Sequence, residues 1–99
     1  MSGLVVLTRD LMDGGRFRSA APEVTVVRDE GDVALGAADL IVVDLALGAD
    51  LGALVALGPP VVAYGAHVDT DALDGALAAG CVDAVPRSRI FRRAGELLD

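Results

Sequence analysis

The chain has 99 residues and a net charge of −7, and 54% of its residues are hydrophobic. This length suits one domain over residues 1–99, and the negative charge argues against binding to nucleic acid, whose phosphates it would repel. The apolar runs are far shorter than the roughly 20 residues of a membrane span. The first residues (MSGL) lack the basic start of a secretory signal, and the single cysteine cannot form an internal disulfide. We therefore expect a cytoplasmic protein without a membrane partner.

Five short runs rich in apolar and β-branched residues predict strands. Their continuous apolar character is typical of strands covered on both faces, as in a parallel sheet. The excess of apolar residues over an ordinary domain also indicates a surface for a protein partner. The predicted strands lie at residues 3–7, 23–27, 39–45, 60–64 and 82–85.

The first two connections between these strands look weak as helices. Gly14 and Gly15 each cost about 1 kcal/mol relative to alanine inside a helix, so the first helix is expected to start late or to break. The segment 28–38 must hold the loops on both sides of the helix as well as the helix itself. We therefore expect a shortened second helix near residues 31–35.

The later connections carry clearer helical signals. Asp50 is predicted to cap a helix over residues 51–57, and Thr70 a helix over residues 71–79 with Leu73, Ala76 and Leu77 on its inner face. Ser88 is predicted to cap the last helix. Its inward stripe consists of Ile90, Phe91, Ala94, Leu97 and Leu98.

The simplest closure of this β-α alternation is a right-handed winding with the strand order 2-1-3-4-5. The runs LIVVDL and VVAYGAHVDTDALDGALAAGCVDAVPRS, with the basic residue Arg87 just after the last strand, resemble a response-regulator receiver domain over nearly the whole chain. The resemblance implies an α/β, flavodoxin-like fold of three layers with five parallel strands. It also places Asp44 at the phosphoacceptor position, where a carboxylate can attack phosphorus.

Several positions depart from the receiver pattern. The acidic pair expected after the first strand is missing from the run Leu7-Thr8-Arg9-Asp10, where an arginine stands in or beside its place, and the hydroxyl residue that ends the fourth strand is replaced by Gly65. Ala84 occupies the position in the fifth strand where receivers carry an aromatic residue. Arg87 and Ser88 occupy the positions after that strand where receivers carry lysine and proline. The chain is thus predicted to be an atypical or pseudo-receiver.

The predicted pocket contains Asp44, Arg9, Asp10, Gly65 and Arg87. One hypothesis is that Arg9, Arg87 or both pair with Asp44 and replace the metal and the phosphate. Alternatively, both arginines point into water, and Asp44 is an unreactive residue at the end of a strand. Asp10 is a further candidate metal ligand, but a lone carboxylate holds Mg²⁺ poorly, so we expect no metal and no other cofactor.

Three other residues of functional type are interpreted as structural residues. His67 is interpreted as a solvated loop residue, because no second ligand is in sight. Cys81 is interpreted as a small apolar residue at the start of the fifth strand, and Tyr64 as a filler of the space left by the missing aromatic residue. Gly14-Gly15 is not followed by a phosphate-loop pattern.

In receivers the usual partner surface includes the last two helices. Here that region places acidic Asp71 and Asp74 near Arg89, Arg92 and Arg93 of a basic last helix, which favours a homodimer in which one patch meets its own complement.

The sequence therefore predicts a non-enzymatic, receiver-like signal-transduction module, acting through protein contacts without Mg²⁺-dependent phosphorylation. One alternative is a working receiver of a two-component system, phosphorylated on Asp44. The other is a small α/β domain that binds a ligand in the crevice.

Overall fold

The five predicted apolar runs form strands in a computed structural model, which describes residues 3–97. The strands are β1 (Leu4–Leu7), β2 (Thr25–Val27), β3 (Leu40–Asp44), β4 (Val61–Gly65) and β5 (Asp83–Pro86). The helices are α1 (Leu11–Ala20), α2 (Leu51–Ala56), α3 (Thr70–Ala78) and α4 (Arg87–Arg93), with 3₁₀ turns at Val33–Leu35, Leu45–Leu47 and Ala94–Glu96. Leu98, predicted to point inward, lies outside the described residues.

The sheet has the order β2-β1-β3-β4-β5, and all four strand pairs are parallel. This confirms the predicted α/β fold and its strand order. Because parallel strands end at one edge of the sheet, the register brings Asp44 of β3 directly beside Tyr64 of β4. The residues that follow β1 and β5 reach the same edge, which is where ligands bind in open α/β sheets.

Alternate residues of each strand point to opposite faces and build two cores. On one face Val6, Val42 and Tyr64 pack against Phe17 of α1 and Ile90 of α4. On the other face the strands pack against α2, α3 and the first 3₁₀ turn. The buried residues of that face include Leu7, Ile41, Val43, Leu54, Leu35 and Ala76. The molecule therefore has three layers, with α1 and α4 together on one side.

Helix α1 corrects the expectation that two glycines would delay or break it. It runs unbroken for ten residues. Asp10 caps it, since its side chain accepts hydrogen bonds from the backbone N–H groups of Met12 at 2.9 Å and Asp13 at 3.1 Å. Phe17 is fully buried against the sheet. Capping and burial of one face together outweigh the low helix propensity of Gly14 and Gly15.

The second connection is even shorter than predicted. Instead of a shortened α-helix it contains a single 3₁₀ turn, Val33–Leu35, which Asp32 caps through the backbone N–H of Ala34 at 2.9 Å. Leu35 is fully buried and covers the part of the sheet that a longer helix would cover.

Of the three helix caps predicted from the sequence, one is found in the structure and two are not. Asp50 caps α2 as predicted, but α3 begins one residue early and is capped by Asp69 rather than Thr70. Pro86 occupies the cap position of α4, so Ser88 lies inside that helix. Leu77, predicted to face inward, is 48% exposed. None of the helices in residues 3–97 has the length and apolar character needed to traverse a bilayer.

Candidate functional site

Asp44 lies at the carboxyl end of the central strand and is 5% exposed. Its Oδ2 accepts a hydrogen bond from the Thr8 hydroxyl at 2.9 Å. Its Oδ1 accepts one from the backbone N–H of Ala46 at 3.0 Å, which caps the 3₁₀ turn after β3. Each carboxylate oxygen is therefore already bound to a neutral donor of the chain.

Thr8 lies directly after β1. Its side chain is almost completely buried, and its backbone N–H donates to the carbonyl of Val27 at 3.0 Å. The hydroxyl oxygen accepts the backbone N–H of Asp10 at 3.1 Å and gives its own proton to Asp44. One hydroxyl thus links the end of β1, the start of α1 and the end of β3.

A second polar cluster lies beside the first. Asp13, in the first turn of α1, is fully buried and accepts hydrogen bonds from both terminal nitrogens of the Arg87 guanidinium, with Nη1 at 2.6 Å from its Oδ2 and Nη2 bound to its Oδ1. The hydroxyl of Tyr64 donates to the same Oδ2 at 3.0 Å. Asp10, which is partly exposed, lies 3.7 Å from Arg87. This forked geometry is the strong form of an arginine–carboxylate pair.

Tyr64 joins the two clusters from the sheet. Its ring is fully buried and packs against Phe17 and Phe91 at centroid distances of 5.6 and 6.1 Å. Burial strongly raises the pKa of the Tyr64 phenol; the nearby Thr8 hydroxyl opposes the rise, and the carboxylates of Asp44 and Asp13 add to it. The phenol therefore stays protonated and serves as a donor.

The structure corrects the hypothesis that Arg9 or Arg87 pairs with Asp44. Within residues 3–97 neither guanidinium forms a hydrogen bond or an ion pair with that carboxylate. The Nε of Arg9 donates to the backbone carbonyl of Arg28 at 3.0 Å, at an exposed position. Arg87 is bound to Asp13. The negative charge that holds Arg87 therefore comes from α1 and not from β3.

The remaining candidates are placed as follows. Gly65 ends β4, and a Cβ added there would lie 3.2 Å from the Leu45 side chain, so a larger residue would have to displace Leu45. His67 is exposed in the loop after β4. Cys81 is buried and unpaired, and burial raises the pKa of its thiol. The residues proposed for a partner surface, Asp71, Asp74, Arg89, Arg92 and Arg93, are all exposed on α3 and α4.

The residues at this edge do not fit the Mg²⁺ that receiver domains use. Mg²⁺ needs several oxygen ligands in nearly octahedral geometry. Asp13 is committed to Arg87 and Tyr64, and Asp44 to Thr8 and Ala46. No group of three or more His, Cys, Asp or Glu side chains in residues 3–97 is arranged to hold a metal ion.

Asp13 was missed by the sequence analysis, although a signal was present. Asp13 and Phe17 are separated by four residues and so share one face of a helix. Once α1 is accepted as a continuous helix, that face must turn inward, and a buried carboxylate then requires a cation. A tyrosine inside a buried strand likewise requires a partner for its hydroxyl. Every buried side-chain nitrogen or oxygen in residues 3–97 has such a partner.

The fold is similar to that of three solved structures. A response regulator from Thermotoga maritima is 17% identical, with a TM-score of 0.67 over 96% of this chain and 92% of that one. A putative pilus assembly-related protein from Burkholderia pseudomallei is 20% identical, with a TM-score of 0.66 over 99% and 89%. A CheY-like protein (tadZ) from Pseudomonas aeruginosa is 24% identical, with a TM-score of 0.59 over 100% and 97%.

No protein-family model matches the sequence, and no curated protein matches it either. The strand order and the three structural similarities together establish a CheY-like, flavodoxin-like receiver fold. At these levels of identity the similarity concerns the fold, and the chemistry has to be argued from the residues of this chain.

Proposed function

We propose that this chain is a receiver-like interaction module that signals through protein contacts and does not depend on Mg²⁺-dependent phosphorylation of Asp44. The observation that carries this proposal is the ion pair between Arg87 and the buried Asp13. In receiver domains, which the sequence resembles, the cation after the fifth strand neutralises charge at the phosphoacceptor. Here that cation is held by a carboxylate of α1, and Asp44 is bound by a hydroxyl and a backbone N–H.

Two further features support a module without phosphotransfer. Thr8 has an uncharged hydroxyl at a position where the receiver pattern has a metal-binding carboxylate. Gly65 lacks the hydroxyl that the receiver pattern has at the end of β4. Phosphoryl transfer is catalysed almost entirely by positioning and by charge stabilisation. A pocket that keeps the acceptor carboxylate but lacks the metal ligands and a free cation has lost most of that catalysis.

The fold alone does not decide between the alternatives, because one fold serves several functions. Its neighbours here include a response regulator and a putative pilus assembly-related protein. The phosphorylated receiver therefore remains the alternative to be excluded by experiment.

Phosphorylation is tested by incubating the protein with Mg²⁺ and acetyl phosphate and measuring its intact mass. We expect no added phosphoryl group under conditions in which an ordinary receiver is modified. A parallel titration with Mg²⁺ and beryllofluoride, followed by amide NMR, should leave the residues around Asp44 unshifted. A mass adduct that disappears in Asp44→Asn would show that the protein is a working phosphoacceptor.

For the partner we propose a second copy, bound through α3 and α4. Asp71 and Asp74 lie one turn apart on α3, and Arg89 and Arg93 lie one turn apart on α4. Each patch can thus meet its complement across a two-fold axis. Sedimentation velocity should reveal a dimer that weakens as salt screens the charges. A clean monomer at high protein concentration would exclude this interface.

A further inference from the structure

A cationic cavity lies between α1 and α4, at the carboxyl edge of the sheet. It has a volume of about 650 Å³. We call it the α1–α4 cavity. The side chains that line it and matter for its chemistry are Arg16, Arg87, Arg92, His67, Ser88 and Phe91. Asp44 does not line it, whereas Arg87 belongs both to this cavity and to the polar cluster around Asp13.

The charge of this cavity is opposite to that of the protein. The net charge of the chain is −7, yet three of its eight arginines meet here and no carboxylate lines the walls. The Arg87 guanidinium is largely balanced by Asp13. Within residues 3–97, Arg16 and Arg92 form no ion pair and no hydrogen bond. Two permanent positive charges therefore face the cavity without a counter-charge.

One of these arginines is already held in place. The guanidinium carbon of Arg16 lies 3.9 Å from the centroid of the Phe91 ring. That ring is fixed in turn by Phe17, at a centroid distance of 5.0 Å. A stacked guanidinium keeps its N–H donors free at its edges while it loses motion, so binding an anion costs less ordering than it does for a free side chain.

We infer that the α1–α4 cavity binds a small molecule carrying a phosphate ester or a diphosphate. Guanidinium groups fit both phosphate and carboxylate oxygens. A phosphate monoester carries about −1.5 to −2 charges at neutral pH, which matches the two unbalanced arginines, whereas a single carboxylate does not. The cavity also exceeds the size of a lone ion and lies in the range of small-molecule sites. Ser88 and His67 add polar groups that can bind the phosphate or the rest of the ligand.

The inference is tested by titrating the protein with pyrophosphate, ADP and adenosine, using isothermal calorimetry and amide NMR. We expect pyrophosphate and ADP to bind and adenosine not to bind, with the largest amide shifts at His67, Ser88 and Arg92. Absence of binding by pyrophosphate and ADP in the millimolar range would overturn the inference. So would equal binding of ADP and adenosine, because the phosphates would then contribute nothing.

Two variants and a matched control give the second arm. Arg92→Glu replaces one unbalanced positive charge by a negative one and should weaken ADP binding about tenfold or more. Arg16→Gln should weaken it as well, since the stacked donor is lost. Arg18→Glu makes the same charge change on α1, the helix that carries Arg16, but outside the cavity, and should change the affinity little. If Arg18→Glu weakens binding as much as Arg92→Glu, the attraction is non-specific and the inference is wrong. All three positions are exposed, and thermal melts establish that each variant is folded.

Discussion

Arg87, the first residue of α4, holds the fully buried carboxylate of Asp13 in α1 with both of its terminal nitrogens. The two residues lie 74 positions apart in the sequence. The contact joins the two helices that cover one face of the sheet, and the Tyr64 hydroxyl attaches it to β4. Arg87 is thus part of the packing between the two helices.

Removing Arg87 should destabilise the protein markedly. Breaking a buried ion pair from one side costs roughly 3–5 kcal/mol, because the remaining charge is left without a partner. The Arg87 side chain is 41% exposed, so water reaches it and the lower end of this range is expected for Arg87→Ala. Urea denaturation measures the change in the free energy of unfolding.

The exposed pair between Arg93 and Asp83 provides the control. Its atoms lie 3.4 Å apart and both side chains are about half exposed, so Arg93→Ala should cost less than about 1 kcal/mol. In a double-mutant cycle, Asp13→Asn combined with Arg87→Ala should be less destabilised than the sum of the single changes. Additive effects would mean that the two side chains do not stabilise the fold as a pair.

Thr8→Val should destabilise the protein by about 1–3 kcal/mol. Valine has nearly the same shape, but it leaves Asp44 Oδ2 and the backbone N–H of Asp10 without their partner. Thr8→Ser keeps the hydroxyl and should be the milder change. Chemical denaturation of the two variants separates the hydrogen bonds from the packing; equal stability of Thr8→Val and the wild type would refute the role assigned to the hydroxyl.

Two glycines should respond to alanine in opposite directions. Gly15 lies in the exposed middle of α1 and has open space around an added Cβ, so Gly15→Ala should stabilise by about 0.5–1 kcal/mol. Gly80 follows α3 with a φ of +107°, and an added Cβ would lie 3.1 Å from Val55, so Gly80→Ala should destabilise. Thermal melting of both variants checks the pair. A loss of stability in Gly15→Ala would mean that α1 is not the continuous helix described here.

The sheet was predictable because its signals are local. Continuous apolar runs defined five strands, and the handedness of the crossovers allowed few strand orders. The helices were less predictable, since their stability comes from tertiary contacts. Gly14 and Gly15 predicted a broken helix, but burial of Phe17 and the cap by Asp10 preserve it.

The site shows the same division between local and long-range signals. The position of Asp44 followed from the end of β3, whereas its partner did not. Arginine side chains are long and flexible, so the sequence cannot tell whether Arg87 turns to β3 or to α1. The deciding residue is Asp13, which offers a closer buried carboxylate, and its importance depends on a helix that the glycine pair concealed.

Tyr64 should make the protein unstable in alkali. Burial raises the pKa of its phenol, so above the ordinary tyrosine value of about 10 the unfolded chain loses a proton that the folded chain keeps. The unfolded state then binds fewer protons, and the free energy of unfolding falls by about 1.4 kcal/mol for each further pH unit.

The chain has one tyrosine and no tryptophan, so ultraviolet absorbance follows this group alone. Tyrosinate absorbance should therefore appear together with the loss of far-ultraviolet circular dichroism, and Tyr64→Phe should remove the part of the alkaline destabilisation that begins near pH 10. Because burial also raises the pKa of the Cys81 thiol, Cys81→Ala is needed to remove the earlier, thiol-linked part. A phenol that ionises near pH 10 while the circular dichroism stays native would contradict the buried donor on which the contact between Tyr64 and Asp13 depends.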